Sequence, residues 1–347
     1  MKTYQPFPRG PVYSDLNIGE AVEWRSKNGA FHPVRLLEIG YQGPAGKPGR
    51  AELGWVTVQV NETPVSVPLG WWRSVDGVRI VAELNRVYNC EPGRKELEGQ
   101  LFRLEHDARI FLSDALHPVI AKGQYAFPLA GEGWGWDAYS NWLTKYNGGS
   151  MTHAGVDLHC PAGVATVRAA MGGEVVYVGG YKGEDEQGSA GLVVAIIGDD
   201  NIGYLYAHMR KLAKGIHEGA RVEAGTLLGP AGQSGFEKVK IVPHIHFEMV
   251  VGESSEALRL ALRPPFADAS GGTKALRINP YPYLCQWFEE QVARENSGGG
   301  DLTAEVAHGF FGTDQQAHQP FNRGMGSALR RINAIHRLQL QLFTFPA

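Results

Sequence analysis

Glycine cuts this chain at short intervals, 45 times in 347 residues, so its apolar positions fall into short runs between turns rather than long helical stretches. Such runs occupy 21–24, 34–39, 55–60 and 78–84, separated by glycine and proline clusters such as 43–49. Further on they recur at 173–178, 191–197, 204–207 and 244–250, again bounded by turn residues. Closely spaced strands joined by turns imply antiparallel sheets, so the chain is expected to be mainly β. Helical pattern is confined to the C-terminal part, at 286–296 and 327–342, with a flexible joint at 297–300 between them. Between 91 and 122 the apolar residues Leu97, Leu101, Leu104, Phe111 and Leu112 fit a helix and a hairpin about equally, and that stretch stays open.

A chain of this length exceeds one ordinary hydrophobic core, which favours two domains, or one domain with large additions. The first is a small antiparallel β domain over 1–90, a sandwich or barrel, followed by a connecting segment at 91–123. A second antiparallel β domain covers 124–285, and 286–347 is a helical extension. The formal net charge of -3 offers no clustered basic surface, so nucleic acid is not an expected partner. No window is long and apolar enough to span a membrane, and the first residues lack the apolar stretch of a secretory leader. Cys90, Cys160 and Cys285 are too few and too scattered for a disulfide framework or a CxxC metal site.

Most of the twelve histidines need no special explanation, because an imidazole readily finds ordinary hydrogen-bond partners. The run Pro243-His244-Ile245-His246-Phe247-Glu248 differs. In a strand His244 and His246 share one face and leave Ile245 and Phe247 on the other, so one face is apolar and the other can hold metal. The run His153-Ala154-Gly155-Val156-Asp157 adds an imidazole and a carboxylate, the donor types of a catalytic zinc site with an open position. Fully extended, His153 and Asp157 would stand about 13 Å apart. The chain must therefore bend between them, and Gly155 is the residue best able to do so. His159 shares a strand face with Asp157 but is not needed to complete such a site. His208 ends an alternating aromatic run, Tyr204-Leu205-Tyr206-Ala207, which places its ring at a sheet edge or cleft.

The order HxGxD, YxH, a glycine-rich stretch and HxHFE resembles the lysostaphin/LytM-type zinc endopeptidases of bacterial cell walls. The likeness includes Phe127-Pro128-Leu129, Ala169-Ala170, Gly173-Glu174-Val175, the 219–225 stretch with Leu228-Gly229, Asn279-Pro280 and Tyr283-Leu284, and so covers about 124–284. It implies one zinc ion held by His153, Asp157 and His246, with His208 and His244 as the catalytic histidines beside it. It further implies attack of a metal-activated water on a peptide carbonyl of peptidoglycan, in the cell envelope or outside the cell. Two loops depart from the pattern. The stretch 180–190 is acidic and long, and 235–242 is bulky; both are expected to border the cleft and to bear on specificity.

Two other readings are set against this one. A non-catalytic LytM-like binding or activator module would be expected to have lost a ligand, and none is lost. A zinc lyase or hydratase would ordinarily use three imidazoles, which Asp157 disfavours. In the N-terminal domain Trp55, Trp71 and Trp72 either pack in the core or present aromatic surface to cell-wall material; that domain could equally cover the active site.

Overall fold

A computed structural model describes residues 1–7, 10–42, 53–70, 72–89, 104, 106–130, 145–146, 151–160, 165–181, 190–235, 243–264 and 275–296. Cys90, Trp71, most of the two departing loops, the 297–300 joint and the 327–342 helix lie outside this set. The fold is mainly antiparallel β, with two compact units, one built mainly from Met1–Ala121 and the other mainly from Gly155–Phe266.

In the first unit, β1 (Lys2–Tyr4), β2 (Val12–Leu16), β7 (Trp72–Val75), β8 (Val78–Asn85) and β9 (Ala108–Asp114) form a sheet in the order β1-β2-β9-β8-β7. A second sheet runs β3 (Ala21–Arg25), β4 (Phe31–Gln42), β5 (Leu53–Val60) and β6 (Thr63–Pro68) in sequence order. Alternate residues of both sheets meet in one core, among them Val34 and Leu36, Val56 and Val58, Ile80, Ile110 and Leu112. This is the packing that period-two alternation calls for. The stretch left open between helix and hairpin contains β9, which pairs with both β2 and β8. Every residue of β9 is buried. Its apolar positions follow neither period because both faces are covered. On one of those faces Arg109 donates from Nε and Nη2 to the two carboxylate oxygens of Asp15 at 2.7 and 2.9 Å, a fully buried fork. Trp55 and Trp72 are half-buried, and the Trp55 ring lies so close over Gly40 that a Cβ there would fall 1.9 Å from it.

The second unit is built on a sheet of order β13-β20-β17-β16-β15-β18: β13 (Val156–His159), β15 (Gly173–Tyr181), β16 (Gly191–Gly198), β17 (Ile202–Met209), β18 (Arg221–Val222) and β20 (His244–Gly252). A smaller sheet orders β10 (Leu129–Ala130), β14 (Thr166–Arg168) and β19 (Leu227–Pro230) as β10-β14-β19. The pair β11 (Lys145–Tyr146) and β12 (Met151–Thr152), just before His153, is grouped with the first unit. Strand β17 is buried along its whole length. Tyr204, Tyr206 and Phe247 occupy one face, and Phe247 meets Trp287 of the helix Tyr281–Asn296 edge-on at 6.2 Å. That helix begins five residues before the 286 start expected from pattern. Pro282 sits in its first turn, where the missing N–H costs no helical bond.

Candidate metal centre

Strands β13 and β20 lie side by side, with Asp157 opposite His246 and His159 opposite His244. Directly opposed residues share a sheet face, so the register puts Asp157, His159, His244 and His246 on one face. The bend demanded between His153 and Asp157 is present: β12 ends at Thr152, residues 153–155 leave the strand path, and β13 starts at Val156. Gly155 serves it for a different reason from the expected one. Its φ is outside the left-handed region, but a Cβ would fall 2.4 Å from the Phe247 carbonyl oxygen and 2.9 Å from the His246 ring. Glycine is required for close approach, not for an unusual turn.

His208 reaches the same face by an irregularity. Ala207 stands opposite His246, so regular alternation would send His208 to the other face, with Tyr204 and Tyr206. Between the pairs Val194–Tyr206 and Leu192–Met209 the register shifts, with Ala207 and His208 set against Val193 alone. His208 itself has φ +63°, a left-handed conformation that a side-chain-bearing residue rarely takes. A bulge of this kind re-aims a side chain. The His208 ring consequently lies 4.8 Å from that of His244 and 6.3 Å from that of His246.

His208 Nδ1 lies 2.9 Å from the Ser234 carbonyl oxygen. A carbonyl only accepts, so Nδ1 carries the proton and Nε2 keeps its lone pair. Burial, reinforced by the neighbouring His244 and His246 rings, pushes the His208 pKa down to about 3, so the ring is neutral at pH 7. His246 moves the other way. Burial is the largest single influence and pulls it down, but hydrogen bonds to Asp157 and Glu248 outweigh it and raise the metal-free ring to about 9. Nδ1 of His246 is 3.1 Å from Asp157 Oδ1, and Nε2 is 2.9 Å from Glu248 Oε1.

Donor atoms of His153, Asp157 and His246 all lie within 4.8 Å of one another, and together they could hold a metal ion. The fit is close. A tetrahedral ion bonded at about 2.1 Å keeps its donors about 3.4 Å apart, near the 3.1 Å separating His246 Nδ1 from Asp157 Oδ1. Nε2 is engaged by Glu248, whereas Nδ1 faces Asp157 Oδ1 and is the His246 atom that would meet an ion held with that carboxylate. A carboxylate on the far nitrogen of a ligating histidine fixes its tautomer and raises its basicity. His159 is outside this group; its ring packs edge-on against His244 at 5.8 Å. Glu248 is the residue that sequence reasoning passed over. It follows His244 and His246 in the same strand alternation, so periodicity alone could have placed it on the metal face.

Residues 151–257 match the family model described as Peptidase family M23. Among curated proteins, the chain is 30% identical over 138 residues to the lipoprotein NlpD/LppB homolog of Pseudomonas aeruginosa, a match covering 40% of each chain. It is 27% identical over 170 residues to the L-Ala–D-Glu endopeptidase of Bacillus subtilis, covering 48% of this chain and 44% of that one. The chain thus spans less than half the length of these curated relatives. The solution structure of lysostaphin aligns with 25% identity and a TM-score of 0.28, over 40% of this chain and 51% of that one. Since the family match falls on the segment that carries the histidine and aspartate cluster, residues 151–257 form a peptidase family M23 domain.

Proposed function

We propose that this chain is a zinc-dependent endopeptidase that hydrolyses peptide bonds of bacterial peptidoglycan, in its cross-links or bridge peptides, and works in the cell envelope or outside the cell. The observation that carries this reading is the convergence of His153, Asp157 and His246 into one donor group with the His208 and His244 rings beside it. Two imidazoles, one carboxylate and an open position suit zinc in a hydrolytic site. Zinc bound there would supply an activated water and a Lewis acid for the scissile carbonyl.

The remaining chemistry falls to the chain's own side chains. His208 presents an unprotonated Nε2, since its Nδ1–H is spent on the Ser234 carbonyl, so it meets the attacking water as a hydrogen-bond acceptor. His244, 4.8 Å from it, stands where a donor can stabilise the developing oxyanion. Glu248 orients His246 from its far nitrogen. A name such as L-Ala–D-Glu endopeptidase among the relatives supports a cell-wall peptide as substrate.

A non-catalytic binding or activator module remains the competing reading, and the likeness to the NlpD/LppB homolog is the observation on its side. The complete donor set argues against it. Purified cell walls of several cross-link types, digested with the protein and analysed by mass, decide between them when zinc is quantified in the same sample. Release of muropeptides by a protein holding one zinc per chain, abolished by His244→Ala, is the expected result. Stoichiometric zinc with no release would leave the binding module standing.

A further inference from the structure

We propose that Ser234 is a positioning residue, a clip that holds the His208 ring in one tautomer on the metal face; this rests on the peptidase reading above. The need for a clip follows from the bulge. His208 sits where regular alternation would turn it away from His246, and it is held back in a left-handed conformation, φ +63°, that a residue with a Cβ rarely adopts. Such strain persists only where the surroundings fix it.

Ser234 supplies that fixation with three bonds. Its carbonyl accepts from His208 Nδ1 at 2.9 Å. Its Oγ accepts from Leu192 N at 2.8 Å and donates to the Met209 carbonyl at 2.7 Å. Leu192 and Met209 are the pair that closes the bulge, so one hydroxyl ties both strands together at the irregularity while the carbonyl of the same residue orients the ring. Gly191 shows how closely Ser234 is seated: it has φ +60°, and a Cβ there would fall 2.2 Å from the Ser234 carbonyl oxygen and 2.5 Å from Oγ. The same short segment reaches the other catalytic candidate, for Gly232 accepts from His244 N at 3.2 Å. Without Oγ, the carbonyl loses its tether to the bulge, and the ring is free to exchange its proton between Nδ1 and Nε2.

The test is imidazole nitrogen NMR on the full zinc-loaded chain with 15N-labelled histidine, the His208 signals being assigned from a His208→Gln sample. Wild type is expected to show His208 as the single Nδ1–H tautomer, and Ser234→Ala to show averaged nitrogen shifts. In the digestion assay, kcat should fall about ten- to hundredfold in Ser234→Ala with KM and zinc content unchanged, and Ser234→Thr, which keeps the hydroxyl, should recover most of it. A wild-type His208 carrying its proton on Nε2 overturns the proposal even if the alanine variant does not fold. Unchanged shifts and unchanged kcat in a folded Ser234→Ala overturn it as well. If wild type releases no muropeptide, the peptidase reading fails, while the tautomer measurement still decides whether Ser234 clips His208.

Discussion

Metal binding at this centre should be steeply dependent on pH, because the ion and a proton compete for His246. Asp157 and Glu248 raise the metal-free ring to about 9, and a ligating imidazole must be neutral. At pH 7 about 1% of metal-free sites are then ready to bind, against about half at pH 9, so affinity should rise about 50-fold between those values. The proton therefore costs about 3 kcal/mol of binding free energy at pH 7. A chelator competition titration, run in non-coordinating buffers at constant ionic strength, reads this as a slope close to one decade per pH unit that flattens above about pH 9. Glu248→Gln removes one of the two carboxylates that raise the ring, so its slope should level off at lower pH, although its affinity at pH 9 falls about ten- to hundredfold for want of an orienting partner. An affinity constant from pH 7 to 9 in wild type would refute the reasoning, since it would mean His246 is already neutral between its two carboxylates.

His246 and His208 also make the stability of the metal-free protein depend on pH. His246, raised in the folded state, contributes stability that is complete below the ordinary imidazole value and is lost as pH climbs through about 9. His208, depressed to about 3, contributes stability present above the ordinary value and lost as pH falls towards 3. Calorimetry after chelation should therefore show His208→Gln losing less melting temperature than wild type as pH falls from about 6.5 towards 3. Gly155→Ala should destabilise by about 1–3 kcal/mol in urea titrations and weaken metal binding, because its Cβ would meet the Phe247 carbonyl at 2.4 Å; full stability would show that β13 can move away. Asp15→Ala leaves Arg109 buried without its fork and should cost about 3–5 kcal/mol, whereas replacing both residues by apolar ones should cost far less.

The parts legible from sequence were those fixed by local periodicity. Alternation in 244–248 put His244 and His246 on one face, and the turn residues around 173–178 and 191–197 marked the strands that became β15 and β16. The separation of His153 from Asp157 called for a bend, and a bend is there, although sterics at Phe247 rather than backbone freedom explain the glycine. Long-range partners were not legible. The strand character of 108–114 depends on burial between β2 and β8, which erases any one-faced pattern. The turning of His208 towards the metal face depends on the two-against-one register with β16, and no local signal in Tyr204-Leu205-Tyr206-Ala207-His208 announces a bulge. Glu248 was within reach of the same alternation that revealed its neighbours.

Diffraction from zinc-loaded crystals on both sides of the zinc absorption edge tests the centre most directly. The expected result is one anomalous peak per chain, about 2.0–2.2 Å from His246 Nδ1, a His153 ring nitrogen and an Asp157 carboxylate oxygen, with His208 and His244 outside bonding distance. No peak at that position, or a peak bonded instead to His159 and His244, would contradict the division between metal-holding and proton-handling residues on which the proposed chemistry depends.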